Sequence, residues 1–144
     1  DLFAMKTRGE KIAVLTAYDY PTARLLDESG VDVLLVGDSV GMVVLGYPST
    51  TAVDLDTMLT LTAAVTRGTE RALVIGDMPF GTYEASDEQA VATAVRYVSE
   101  AGVGAVKLEG GRTVARQIED TVLWRPGDDS PLEGPPNKFV FSKS

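Results

Sequence analysis

Three carboxylates stand at corresponding places in this chain. Asp38 follows the apolar run Val33–Val36 through Gly37, Asp77 closes Leu73-Val74-Ile75-Gly76, and Glu109 closes Ala105-Val106-Lys107-Leu108. Small or turn-forming residues come next each time: Ser39, then Met78-Pro79, then Gly110-Gly111. A short, nearly unbroken apolar run rich in β-branched residues is the pattern of a parallel strand buried on both faces. An acid at its C-terminal end points into the rim where α/β proteins keep their sites. Three such acids on successive strands can converge on one point, and carboxylates without histidine or cysteine partners suit a hard divalent cation. The expectation is a Mg²⁺ site at Asp38, Asp77 and Glu109.

Composition narrows the rest of the chemistry. The 144 residues contain no histidine and no cysteine. Ser-His-Asp triads, thiolate zinc sites, disulfides and cysteine nucleophiles are thereby excluded, which leaves carboxylates, Lys107 and tyrosines for proton transfer. A net charge of −8, from 13 basic and 21 acidic residues, argues against nucleic acid as a partner. Hydrophobic residues make up 44% and charged residues 24%, as in ordinary globular domains. No run approaches the roughly 20 apolar residues of a membrane span, and no basic-then-apolar leader opens the chain. The expected location is the cytoplasm.

The elements that must position the acids are legible from spacing. Apolar runs at 12–16, 33–36, 73–77 and 105–109 predict strands. Between them, Leu55, Met58, Leu59, Thr62 and Val65 form one stripe of helical period, and Ala90, Val91, Ala94, Val95 and Val98 form a second. Ser86 and Gln89 have the spacing of a capping box before the second helix, and Pro21 suits the first turn of an earlier helix reaching Ser29. Gly30, Gly68 and Gly102 stand where a left-handed helix terminus is wanted. Alternating strand and helix imply a parallel sheet with right-handed crossovers. Periodicity alone leaves an open doubly wound sheet and a barrel equally available. The connection 39–53 is long for a βα loop, as loops covering ligands often are. After Leu123 the character changes, with Pro126, Pro131, Pro135 and Pro136 among glycines and polar residues, and a loosely packed tail is expected.

The wording of the segments goes further than their pattern. Thr16-Ala17-Tyr18-Asp19-Tyr20, Gly37-Asp38-Ser39-Val40-Gly41-Met42, Asp77-Met78-Pro79-Phe80 and Lys107-Leu108-Glu109-Gly110-Gly111 occur in this order. With them the chain resembles the ketopantoate hydroxymethyltransferase family from about residue 11 to about residue 118. The resemblance implies an α/β fold of the TIM-type (β/α)₈ barrel, of which about four βα units are present. It implies a barrel part at 1–122 and a Pro/Gly-rich segment at 123–144 that does not resemble the family, an ending that reads as truncated, frameshifted or otherwise altered. A complete barrel of this type has about 250 residues.

The resemblance also implies a reaction: transfer of a hydroxymethyl group from 5,10-methylenetetrahydrofolate to α-ketoisovalerate, giving ketopantoate in pantothenate biosynthesis. Carried over by motif, Asp38, Asp77 and Glu109 hold Mg²⁺ directly or through water. Ser39 and Lys107, with Asp38 and Asp77, bind the keto acid. Lys107 lies two residues before Glu109 and so shares its strand face. The family's general base is a glutamate on a later strand; Glu119 and Glu133 lie in no matching motif, so no base is assigned. The family further implies a homo-oligomer, and open sheet edges at 12–16 and 105–109 imply association.

Plainer roles compete with these. A single Asp after a strand is commonly a helix cap or turn former, and three in matching motifs outweigh that reading. For Ser39 the plainer role is a turn cap, over which substrate binding is slightly favoured, whereas a Lys inside an apolar run is more often paired or functional than solvated. Tyr18, Tyr20 and Phe80 read as packing residues, and Gly102-Val103-Gly104 as a helix stop. Two other functions were weighed. One is a non-catalytic metal-binding or assembly fragment. The other is a lyase of the phosphoenolpyruvate mutase and isocitrate lyase type, disfavoured because its usual catalytic loop carries a cysteine.

Overall fold

Apolar strands pair where both faces can be covered, and here they form one parallel sheet. Its order is β1 (Val14–Thr16), β2 (Val33–Val36), β3 (Leu73–Asp77), β4 (Ala105–Glu109) and β5 (Phe139–Lys143). The computed structural model describes residues 2–110, 116 and 139–143, the last segment as backbone. Helices α1 (Leu2–Thr7), α2 (Tyr20–Glu28), α3 (Val40–Val43), α4 (Leu55–Arg67) and α5 (Asp87–Ala101) complete it, with a 3₁₀ turn at Thr50–Ala52. Among the described residues no helix is long and apolar enough to cross a membrane.

Alternation along each strand separates two faces. Leu34, Val36, Val74, Val106 and Leu108 join the main core beneath α4 and α5. Each fully buried Val or Leu there is worth about 1.5–3 kcal/mol. The opposite face buries Val33, Ile75 and Ala105, with Leu2, Ile12, Leu35 and Leu73 packed partly against them. Register places Asp77 beside Lys107 on that second face, two residues beyond the Ile75–Ala105 pair. Both faces of β2 and β3 are therefore apolar, as the unbroken runs require. β1 differs: it is exposed along its length, with Val14 at 53% and Leu15 at 47%.

Helix ends follow the local chemistry. Asp19 caps α2 through the Thr22 N–H at 2.8 Å, with Pro21 in the first turn, and Asp54 caps α4 through the Thr57 N–H at 2.7 Å. Ser86 accepts from the Gln89 N–H at 3.1 Å, as the capping box predicts. The return bond shifts by one residue, because Gln89 Oε1 accepts from the Ala85 N–H while its amide donates to Gly81 O. Gly30 and Gly102 take the left-handed conformation expected, at φ 88° and 71°. Gly68 does not, at φ −84°. A different constraint holds there: an added Cβ would lie 2.6 Å from the Tyr20 carbonyl, so glycine allows α2 and α4 to approach.

Four further expectations are corrected. The buried face of α5 is Ala90, Thr93, Ala94, Tyr97 and Ala101, leaving Val91, Val95 and Val98 half-buried. Tyr20 and Phe80, expected to pack, are 44% and 64% exposed. The 105–109 strand is not an open edge, because β5 pairs with it in parallel from Ala105↔Phe139 to Glu109↔Lys143. Phe139-Val140-Phe141 is a strand-favouring run inside the stretch read as a tail.

The end of the sheet away from the acids is tied by one buried carboxylate. Asp27, at the end of α2, accepts from the backbone N–H groups of Glu70, Arg71 and Ala72 at 2.7–3.2 Å. Burial alone would raise its pKa, and these donors together hold it below the ordinary carboxylate value.

Candidate active site

The C-terminal ends of β2, β3 and β4 open on a cleft of about 330 Å³ lined by Asp38, Asp77 and Glu109. Thr50 and Thr51 reach it from the 39–53 connection, and Met78, Phe80, Tyr83 and Glu84 from the segment after β3. All three predicted acids thus share one wall of one cavity. They are not drawn together on one point, and among the described residues no group of three such side chains is already arranged to hold a metal ion.

The reason lies in what already holds Asp77. Lys107 Nζ donates to Asp77 Oδ1 at 2.5 Å, and the Asp38 N–H donates to Asp77 Oδ2 at 3.3 Å. The Lys107 and Asp77 side chains are 21% and 6% exposed, so the pair is largely sheltered from solvent. Burial, the largest influence, and the nearby Asp38 charge raise the Asp77 pKa above the ordinary carboxylate value despite the Lys107 hydrogen bond and charge that oppose them. Glu109 is exposed at the mouth.

Ser39 stands at the start of α3 and makes no capping bond with its side chain. Its Oγ instead pairs with the Tyr18 hydroxyl at 2.8 Å. Gly37 leaves room for this arrangement, since an added Cβ would meet Ser39 Oγ at 3.0 Å and Asp77 Oδ2 at 3.8 Å. Glu119 and Glu133 lie outside the described residues.

Two tyrosines were missed by the sequence reading. The Tyr97 hydroxyl donates to the Asp77 carbonyl at 2.5 Å, and its ring lies over Gly76. The Tyr83 hydroxyl donates to the Glu109 carbonyl at 3.0 Å and accepts from the Glu109 N–H at 3.2 Å. Burial raises the pKa of both hydroxyls, which keeps them protonated. The one available signal was Gly76, since a glycine inside a strand often marks a close approach.

Hard oxygen donors on one wall, with no nitrogen or sulfur ligand among them, fit Mg²⁺ in chemistry though not as a preassembled cage. A family profile described as ketopantoate hydroxymethyltransferase matches residues 1–123. The chain belongs to the ketopantoate hydroxymethyltransferase family.

Among its relatives in that family, the 3-methyl-2-oxobutanoate hydroxymethyltransferase of Thermobifida fusca is 58% identical over 122 residues, covering 85% of this chain and 44% of the relative. The protein of that name from Ignicoccus hospitalis is 57% identical over 122 residues, covering 85% and 46%. The chain therefore spans less than half the length of these curated relatives. Solved structures share the architecture. A phosphonopyruvate hydrolase in complex with oxalate and Mg²⁺ superposes with TM-score 0.74 at 15% identity, covering 98% of this chain and 50% of that one. A phosphoenolpyruvate phosphomutase from Streptomyces platensis subsp. rosaceus gives 0.74 at 18% identity, covering 98% and 51%. At such identities the likeness carries architecture alone, and the chain supplies about half of a TIM-type barrel.

Proposed function

We propose that this chain forms the Mg²⁺ and keto-acid half of an enzyme that transfers a hydroxymethyl group from 5,10-methylenetetrahydrofolate to α-ketoisovalerate, giving ketopantoate. The observation that carries the reading is Asp77, paired with Lys107 and sheltered from solvent, in a cleft lined also by Asp38 and Glu109, inside a chain of this family.

Asp38, Asp77 and Glu109 are the residues that would hold Mg²⁺, which when bound supplies Lewis-acid polarisation of a ketone oxygen. Lys107 is suited to a substrate that is a carboxylate and gains negative charge at its keto oxygen when the C3 proton leaves. Its ammonium needs only to turn from Asp77 to meet that charge, and in a sheltered cleft such a contact is strong. Ser39 offers a hydroxyl beside Asp77, held in place by Tyr18. Exposed Phe80 gives the mouth an apolar wall. The proton acceptor has no assignment among the described residues, and acid–base catalysis is typically worth about 10²–10⁴-fold in rate.

The test separates binding from turnover. α-Ketoisovalerate titrated into the chain with Mn²⁺ present should bind, with Asp77→Asn and Lys107→Ala each weakening it. Ketopantoate formation by the isolated chain should be little or none. Keto-acid binding unaffected by both substitutions would sink the reading.

A further inference from the structure

The two tyrosine hydroxyls reach main-chain atoms of two of the acids that line the cleft, and both tyrosines come from one stretch of chain. Tyr97 is fully buried on α5. A Cβ placed on Gly76 would lie 2.5 Å from two carbons of its ring, so the ring rests against the backbone one residue before Asp77. Its hydroxyl then ends on the Asp77 carbonyl. With that carbonyl taken, the neighbouring Asp38 N–H is directed to the Asp77 carboxylate. Tyr83 closes both the N–H and the carbonyl of Glu109 with a single oxygen.

The stretch that bears them is itself fixed. Glu84 Oε2 accepts from the Gly81 and Tyr83 N–H groups, and Thr93 Oγ1 donates to Thr82 O at 2.6 Å. Asp77 and Glu109 leave from different strands, yet both are referred to the same loop and helix. These bonds are to main-chain atoms, so each tyrosine acts on its acid through the backbone.

We propose that Tyr97 and Tyr83 are the positioning residues of the carboxylate rim, setting the backbone placement of Asp77 and Glu109 and thereby the geometry offered to a divalent cation. The proposal rests on the metal reading for its consequence, but the placement itself is measurable without metal. Tyr97→Phe and Tyr83→Phe keep the rings and remove only the hydroxyls. Val65→Ala, in the fully buried part of α4 away from the rim, serves as a variant that loses stability without touching the site.

In the metal-free chain, amide exchange at Asp38 should speed at least tenfold in Tyr97→Phe, and at Glu109 in Tyr83→Phe. Amides in β2 and α4 should change by less. Val65→Ala should instead speed exchange broadly. With Mn²⁺, each Tyr→Phe variant should raise the dissociation constant at least fivefold at a temperature where all variants are folded, and Val65→Ala should leave it unchanged. Rim amides that exchange as in the parent, or no faster than in Val65→Ala, would overturn the proposal. So would tyrosine variants that bind Mn²⁺ as the parent does, where the parent binds and Asp77→Asn does not. Should the parent and Asp77→Asn take up Mn²⁺ equally, the metal reading fails, and exchange at Asp38 and Glu109 alone decides the role of the tyrosines.

Discussion

Lys107 and Asp77 are register partners on adjacent parallel strands, and their side chains meet at 2.5 Å behind the cleft that Asp77 lines. Because the strands run side by side, the ion pair is set by the sheet rather than by a flexible loop. In the protein without ligands the ammonium offsets the charge of Asp77. An arriving cation must compete with it, whereas an arriving keto acid gains from it.

Metal binding is the first consequence. Asp77→Asn should weaken Mn²⁺ by at least tenfold in a calorimetric titration, because a carboxylate on the cleft wall is replaced by a neutral amide. Equal affinity in both proteins would remove Asp77 from the site.

Lys107 should have opposite effects on the two ligands. Lys107→Ala removes a competing positive charge and should tighten Mn²⁺ added alone. The same change should weaken α-ketoisovalerate added with Mn²⁺ by about ten- to a hundredfold, the equivalent of about 1.5–3 kcal/mol for a charge-assisted hydrogen bond. Lys107→Arg should lose less. Isothermal titration of the three proteins checks the signs.

Asp27 should govern the acid limit of stability. Its folded pKa lies below the ordinary value of 3.8, so its contribution is complete above that value and is lost as pH falls through the folded pKa. Asp27→Asn should cost about 2 kcal/mol at neutral pH, since an amide offers one acceptor oxygen where the carboxylate uses two to satisfy three N–H donors. Urea unfolding at pH 7 and pH 2.5 should show that difference shrinking at the lower pH. A gap of the same size at both would contradict the assignment.

Association should follow from β1. Val14 and Leu15 are exposed on the outermost strand in the sheet order, and an apolar edge readily pairs with another chain. Sedimentation velocity should show oligomers for the parent and a shift toward monomer for Leu15→Lys. A parent that sediments as a monomer at micromolar concentration would refute this.

The strands were legible because burial on both faces leaves an unbroken apolar run: 33–36, 73–77 and 105–109 match the observed β2, β3 and β4. The α4 stripe was equally plain, as Met58, Leu59, Thr62 and Val65 are all buried. That the three acids line one cleft was readable, since period and strand order place them at one end of the sheet. Side chains that act through their tips were not. Tyr97 falls outside the stripe read from Ala90, Val91, Ala94, Val95 and Val98, though it lies at helical spacing from Ala90 and Ala94, and nothing in the local pattern says that its ring covers Gly76. Gly68 was assigned a left-handed turn because helix ends usually need one, while the approach of Tyr20 that requires it is a contact between distant segments. The two-residue spacing that put Lys107 on the same strand face as Glu109 gave no hint that its partner would be Asp77.

The loop held by Asp27 is recognised through its main chain. Glu70, Arg71 and Ala72 present N–H groups to one carboxylate, and only Arg71 adds a side-chain bond, from Nη1 to the Asp27 carbonyl. Side-chain identity at exposed position 70 is therefore nearly free and at 72 is limited only by its packing against the core, whereas spacing is not free. An inserted residue moves every donor away from the acceptor at once, and proline at any of the three deletes one. This turn should accept many sequences and a single length.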